Sequence, residues 1–378
     1  MKILVTSIVD LKKSQHNRPH QFVKYLSKNH EVTVLSINDW WKGKQGDLNH
    51  YSSDFDDIFE GVDFHYLTER KISPILQEVL FNKKNKELSK EKFDVHLNYN
   101  CLVTGYKASK NFNTVFDLAD DLPEMIATSP QIPNFLKSFG RNLGQFYLKK
   151  DIKHANYVTL TTQSLKEVYN VPDEKAEFIP NGVNTKLFKN YSNAKEELGL
   201  CGFIIGYVGV LRSWVNFKPV FEALKFLDKD IKILIVGSEG NFQETKDLAR
   251  KCGVKDRVIF TGMVPYSKVP KYISAMDVGI IPFVSNGVSH NALPIKLFEY
   301  FACEKPVISS SIHPIKVNFS KNILFASNCE DYVNKIKLLH ENKELRSKLG
   351  KNGRKISENY TWKSISTKLE KTLERAAI

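Results

Sequence analysis

One rhythm runs through the chain twice, and it leaves few folds open. An apolar run, KILVTSIV (residues 2–9), leads through a loop with Asn17-Arg18-Pro19-His20 into a helix-patterned segment (20–29). Phe22, Val23 and Leu26 share one face of that helix. A second apolar run, EVTVLSI (31–37), follows. Strand, helix and strand in this order imply a parallel sheet with a right-handed crossover. Further strands are expected at 62–67, 94–99, 113–118 and 156–162, with charged helices at 76–92 and 134–150. After a short strand that ends in Pro180-Asn181-Gly182, which is turn chemistry, the rhythm restarts. Its strands are expected at 203–210, 231–237, 257–262, 277–283 and 305–311. Helices are expected between them around 218–226, 243–252 and 269–276, and at the segment holding Glu299.

Such alternation predicts an α/β protein with two Rossmann-like, doubly wound domains facing a cleft. With 378 residues the chain is long enough for both. We place the first domain at residues 1–190 and the second at 191–355. Residues 356–378 read as one amphipathic helix that crosses back to the first domain. Ligands of such sheets bind beyond the carboxyl ends of the strands, so the cleft is the expected site.

The totals narrow the function classes. A composition of 42% hydrophobic and 26% charged residues is that of a soluble globular protein. No run of eighteen apolar residues occurs, and the run in MKILVTSIVD is stopped by Asp10, so it reads as a strand rather than a signal peptide. Cys101, Cys201, Cys252, Cys303 and Cys329 are scattered, which speaks for reduced thiols in a cytoplasmic protein and against a metal cluster. The formal net charge of +13 either serves solubility or asks for an anionic partner. Nothing matches a nucleic-acid module, so no nucleic acid is expected; an anionic membrane surface and a polyphosphate substrate remain.

The segment NALPIKLFEYFACEKPV (291–307) carries the chemistry. Glu299 stands among Leu297, Phe298, Tyr300, Phe301 and Ala302, where a charge is costly unless something pairs with it. Pro294 suits the first helical position. The amide donors around Ile295, Lys296 and Leu297 would then leave the helix start free for phosphates, with the Lys296 charge beside them. One turn further in, Glu299 could accept two ribose hydroxyls. Phosphates at a helix start with an acid beside them describe a nucleotide site.

These segments resemble the glycosyl transferases group 1, family 4 of the glycosyltransferases: retaining enzymes with the GT-B fold of two Rossmann-like domains. The family pattern has a glutamate, seven residues, a second glutamate, and then a Gly-Lys-Pro-Val turn. Glu299 matches the second glutamate, which the resemblance implies for the donor ribose. Asn291 stands at the first, and Glu304 stands where the turn glycine is expected. FIPNGVNTKLF (178–188) resembles the hinge segment, and RVIFTGMVPYSKVPKYISAMDVGIIPF (257–283) the base-binding strand and loop, with Met263 and Val264 toward the base. NRPHQFVKYLSKNHEVTVLS (17–36) resembles a subset with Arg-Pro in the first loop, which puts Arg18 and His20 on the acceptor side. In GVLRSWVNF (209–217), Val210 and Val215 stand where the family carries two phosphate cations, so Arg212 beside Gly209 is the substitute.

The resemblance implies transfer of a sugar from a nucleoside-diphosphate sugar to an acceptor hydroxyl, with retention, in cell-surface glycan, glycolipid or glycoprotein-oligosaccharide assembly. Donor contacts fall on Gly209, Arg212, Val264, Asn291, Lys296, Leu297 and Glu299. Asp120 and Glu299 are the catalytic candidates. Asp120 lies in FDLADD (116–121), near the point where family members carry a histidine for the donor sugar. A metal on that run belongs to a different transferase fold, so neither metal nor cofactor is expected. Two other readings remain: an epimerase or hydrolase of sugar nucleotides on the same fold, and a basic membrane-binding protein with a degenerate nucleotide site. Finally, residues 134–154 set Phe135, Leu136, Phe139, Leu143, Phe146 and Tyr147 against Lys137, Arg141, Lys149, Lys150 and Lys153. That helix either packs on its own sheet or, with a lipid-linked acceptor, meets the inner face of the cell membrane.

Overall fold

The computed structural model describes residues 1–14, 16–40, 56–129, 132–284 and 287–378. Two compact units emerge, Met1–Pro180 with Trp362–Ile378, and Asn181–Thr361. Each is built on its own parallel sheet. The first contains β1 (Lys2–Ser7), β2 (Glu31–Ser36), β3 (Asp63–Tyr66), β4 (Val95–Tyr99), β5 (Thr114–Leu118), β6 (Tyr157–Leu160) and β7 (Ala176–Phe178). The second contains β8 (Phe203–Val208), β9 (Ile231–Val236), β10 (Val258–Gly262), β11 (Val278–Ile281), β12 (Val307–Ser309) and β13 (Ile323–Phe325).

The sheet orders are β3-β2-β1-β4-β5-β6-β7 and β10-β9-β8-β11-β12-β13, with parallel pairing throughout. Both therefore have the doubly wound order, which reverses between β1 and β4 in one unit and between β8 and β11 in the other. Helices cover both faces of such sheets, and the strands read as near-continuous apolar runs for that reason. Ile3, Leu4 and Val5 of β1 and Ile204 and Ile205 of β8 are fully buried.

The domain limits move from the expected ones. The break falls at Pro180/Asn181 instead of near residue 190. Asn181 donates through Nδ2 to Leu293 O at 2.8 Å, Val183 N–H donates to Tyr360 O at 2.8 Å, and Phe188 is buried in the core of the second unit. The return point is Thr361/Trp362 rather than residue 356, because the helix Lys343–Glu358 still packs on the second unit's helix Ile295–Ala302. The last helix, Trp362–Ala377, belongs to the first unit and packs against the helix Arg18–Leu26. Its Trp362 is fully buried and meets Phe22 edge to face at 6.3 Å.

Two helices differ from their patterns. The expected helix at 76–92 is broken into Pro74–Leu80 and Lys83–Leu88. Phe81 leaves the helical region (φ −114°, ψ 85°), and the Asn82 side chain donates to Glu78 O at 3.0 Å, a local bond that competes with continuation. The helix expected to end at 150 runs on as Asn134–His154.

Glu304 ends the Ile295–Ala302 helix in the left-handed region, with φ +57°. Its carbonyl oxygen would lie 2.1 Å from a Cβ at Gly350, so the opposing helix needs glycine there. A side chain in that conformation costs about 1 kcal/mol. Glu304→Gly is expected to raise the second unit's stability by about 1 kcal/mol, seen as a melting temperature about 2–4 °C higher. Calorimetry on the full chain checks this.

Candidate nucleotide site in the second unit

In the second sheet the strand order reverses between β8 and β11, the point beyond which such sheets bind their ligands. β8 is followed directly by Gly209, whose φ of +123° lies in the left-handed region. A Cβ at Gly209 would stand 2.8 Å from the Lys296 Nζ, so a side chain there would push the end of the lysine aside. Gly237, at the end of β9, is pressed as closely, since its Cβ would meet the Gly209 carbonyl oxygen at 2.4 Å.

Lys296 comes from the helix Ile295–Ala302 and folds back over the end of β8. Its Nζ sits 3.9 Å from the centroid of the Tyr207 ring and 5.4 Å from that of Phe283. The ammonium therefore rests on aromatic rings. Burial pushes its pKa down to about 7, with Glu299 pulling it up and Arg212 pushing it further down. Glu299, one turn along, is 5% exposed. Tyr266 donates its hydroxyl to Glu299 Oε1 at 3.1 Å. Burial pushes the Glu299 carboxyl up to about 7, against the opposing pull of the Tyr266 bond and the Lys296 charge. The next residue on the helix, Tyr300, accepts the Val208 N–H at 2.9 Å and so fixes the strand end to the helix.

The other expected donor residues are placed as follows. Arg212 is exposed in the turn after Gly209, close enough for its charge to be felt at Lys296. Val264 is half-buried in the loop between β10 and the turn that carries Tyr266. Asn291 is 4% exposed and donates from Nδ2 to Gly287 O at 3.3 Å. Two expectations at the helix start need correction. Pro294 is the N-cap, in an extended conformation, and not the first helical residue. The Leu297 N–H is not free, because it donates to Pro294 O at 3.1 Å, and its side chain is fully buried.

Sequence reasoning missed the three tyrosines. Tyr266 had a signal, since it directly follows the Met263-Val264-Pro265 loop. Tyr207 and Tyr300 had none, because an aromatic residue in a buried strand or helix reads as core.

In the first unit, Arg18 and His20 are not on a loop. They open the helix Arg18–Leu26, and both are buried. Arg18 grips Asp117 with two bonds, Nε to Oδ2 at 2.8 Å and Nη2 to Oδ1 at 2.7 Å, and also donates to Ile179 O at 2.8 Å. His20 closes a capping box: its Nδ1 accepts the Asn17 N–H at 3.1 Å, and Nε2–H donates to Leu11 O at 2.8 Å. Burial pushes its pKa down to about 4, so the ring is neutral. The acceptor-side assignment therefore gives way to a structural role for these two side chains. In FDLADD, Asp117 lies within β5, and Asp121 caps the helix Leu122–Thr128. Asp120 is left as the exposed carboxylate of the run.

Comparison with known proteins bears on both units. Residues 190–356 match the family described as glycosyl transferases group 1. A putative teichuronic acid biosynthesis glycosyltransferase, TuaH of Bacillus subtilis (strain 168), is 30% identical over 192 residues, which are 47% of this chain and 46% of TuaH. The chain thus spans about half the length of that curated relative. Among solved structures, Anabaena Alr3699/HepE in complex with UDP superposes with a TM-score of 0.75 at 17% identity, covering 99% of this chain and 100% of that one. Sucrose-phosphate synthase from Thermosynechococcus elongatus superposes with a TM-score of 0.79 at 15% identity, covering 99% of each chain. The fold is GT-B: two parallel-sheet, Rossmann-like α/β domains.

The lysine makes a pH-dependent prediction. An anion beside Nζ favours the protonated form, so binding takes up a proton once the free lysine is neutral. Affinity for inorganic diphosphate should hold below the free pKa of about 7 and fall as pH rises through it. The limit is about tenfold per pH unit, or 1.36 kcal/mol. Lys296→Arg keeps its charge and should flatten this alkaline limb. Calorimetric titration across the pH range checks both curves.

Proposed function

We propose, taking residues 190–356 as a glycosyl transferases group 1 domain, that the chain is a retaining glycosyltransferase of family 4. It would move a sugar from a nucleoside-diphosphate sugar to an acceptor hydroxyl during assembly of a cell-surface glycan, glycolipid or glycoprotein oligosaccharide. The observation that carries this reading is the Lys296 ammonium, held on the Tyr207 ring against Gly209 one turn before Glu299. Bound UDP in the similar Anabaena structure and the teichuronic acid name of the Bacillus relative point the same way.

The chemistry follows from where charge develops. As the glycosidic bond to the diphosphate stretches, the sugar gains positive charge and the leaving group negative charge. Lys296 and Arg212 supply fixed positive charge at the phosphates, so the leaving group is stabilised without a metal. The backbone at Gly209, where no side chain intervenes, allows close approach of a phosphate oxygen. Glu299 accepts the ribose hydroxyls, Val264 and the chain around it meet the base, and Asn291 offers an amide to the donor sugar. Asp120, exposed at the end of β5, is the catalytic candidate of the first unit. The acceptor is a glycan or a lipid-linked glycan, and the enzyme works in the cytoplasm, peripheral to the inner face of the membrane.

Glu299→Gln is expected to lose transfer from nucleoside-diphosphate sugars while its melting temperature stays near that of the parent protein. Loss of folding instead would make Glu299 structural. The same assay with EDTA throughout tests metal independence, and release of nucleotide and altered sugar without an acceptor would favour an epimerase or hydrolase. Arg212→Ala, at an exposed turn, should weaken nucleoside-diphosphate binding by about 1.5–3 kcal/mol, the range for a hydrogen bond to a charged group. Unchanged binding would remove Arg212 from the phosphate site.

A further inference from the structure

The helix Asn134–His154 turns the wrong residues to solvent for a helix that only packs on its sheet. Phe135 is 81% exposed, Phe139 67% and Phe146 51%. Separated by four and seven positions, they share one face. The inward face explains why. Gly140 and Gly144 press on Ile126, where added Cβ atoms would come within 2.9 and 3.3 Å of its side chain, and Leu148 and Ile152 are buried beside them. Close approach through the glycines leaves the large rings on the outside.

The cations are placed on the same side. Lys149 and Lys153 follow the phenylalanines on the outward face and are exposed. Lys150 lies over the Phe146 ring at 4.4 Å and over Tyr106, on the neighbouring helix Val103–Ala108, at 5.0 Å. Lys110 covers the same tyrosine at 4.6 Å. Nearby Lys107 has its pKa held below the usual value by burial and by the charges of Lys86 and Lys110, with Glu78 opposing them. Cations here crowd one another. The Arg141 guanidinium, by contrast, is already paired with Glu124.

We propose that this face is a docking surface for a bilayer carrying anionic phospholipids. Phe135, Phe139 and Phe146 enter the interfacial layer, and Lys149, Lys150 and Lys153 meet the headgroup phosphates. The helix has 21 residues and so runs about 31 Å along the surface. Lysine is depleted in protein–protein interfaces, whereas aromatic residues edged by lysines suit the membrane interface. The inference deepens the peripheral placement given above and rests on that reading only for its purpose.

Flotation of the full chain with vesicles tests it, using phosphatidylcholine alone and with phosphatidylglycerol added, at low and high salt. Binding to the anionic vesicles only, and weakened by salt, is expected. Lys149→Gln with Lys150→Gln and Lys153→Gln should reduce partitioning about 100-fold, equivalent to about 1 kcal/mol for each lysine. Phe135→Ser with Phe139→Ser should also reduce it. Both variants should keep the parent's thermal shift with nucleoside diphosphates, so failure here and failure of the transferase reading are told apart. Absence from both kinds of vesicle, binding that both variants retain, or a dimer in solution that Phe135→Ser with Phe139→Ser dissolves would each overturn the proposal.

Discussion

A single ammonium resting on a tyrosine ring organises the second unit's site. Burying a charge without a partner is costly, and in practice the group gives up its proton instead. For Lys296 the compromise is visible: the ring of Tyr207 at 3.9 Å returns part of the lost hydration, by about 2 kcal/mol for a desolvated contact. The remainder appears as a pKa pushed down to about 7. Gly209 lies directly beside it. A methyl group there would take the space of Nζ, and the positive φ would be strained for any side chain. The strand end, the helix start and the glycine are thus one device, which presents positive charge where the protein itself leaves it unneutralised.

The first unit makes the contrast. There the buried cation is Arg18, and both of its pairing edges are spent on Asp117 and Ile179 O. Thr159 donates to the same carboxylate at 2.5 Å. Such a pair is satisfied from within: it ties the first helix to β5, β6 and the chain beyond β7, and it offers nothing to a ligand. Removing one partner would strand the other as a buried charge. The physical difference between a strut and a site is whether the charge is already answered by the fold.

The sequence made the sheets readable because parallel strands buried on both faces leave continuous apolar runs, which the eye finds easily. Glu304 was readable too: its expected left-handed turn is present at φ +57°. The misreadings came partly from local capping and partly from interactions that bridge distant residues. Arg18 and His20 looked like loop residues because Pro19 reads as a turn, yet proline equally suits the first turn of a helix. A histidine at the third position closes the capping box here in place of the usual glutamate or glutamine, so the ordinary signature gave no warning. The domain break was set too late because Phe188 and Val183 are committed to the second unit by contacts with residues far along the chain. Tyr207 and Tyr300 were lost for a related reason. Nothing in a local pattern distinguishes an aromatic residue that fills a core from one whose face or hydroxyl is aimed at a polar or charged neighbour.

The positive charge of the chain is not one phenomenon. Much of it is neutralised locally, as in Lys195 with Asp277, Lys24 with Asp57 and Lys271 with Glu197. Exposed pairs of this kind contribute little to stability and are weakened by salt. Two groups of lysines behave differently. Lys296 lies within the fold against aromatic rings, and Lys107 is partly buried with Lys86 and Lys110 acting on it; burial lowers the pKa of both, with Glu299 and Glu78 opposing. A cation that burial disfavours gains more from an incoming anion than one held in a close ion pair does, because it has no close pair to break. The same argument therefore applies inside the second unit and on the surface of the first, and it distinguishes these lysines from the many others that serve solubility alone.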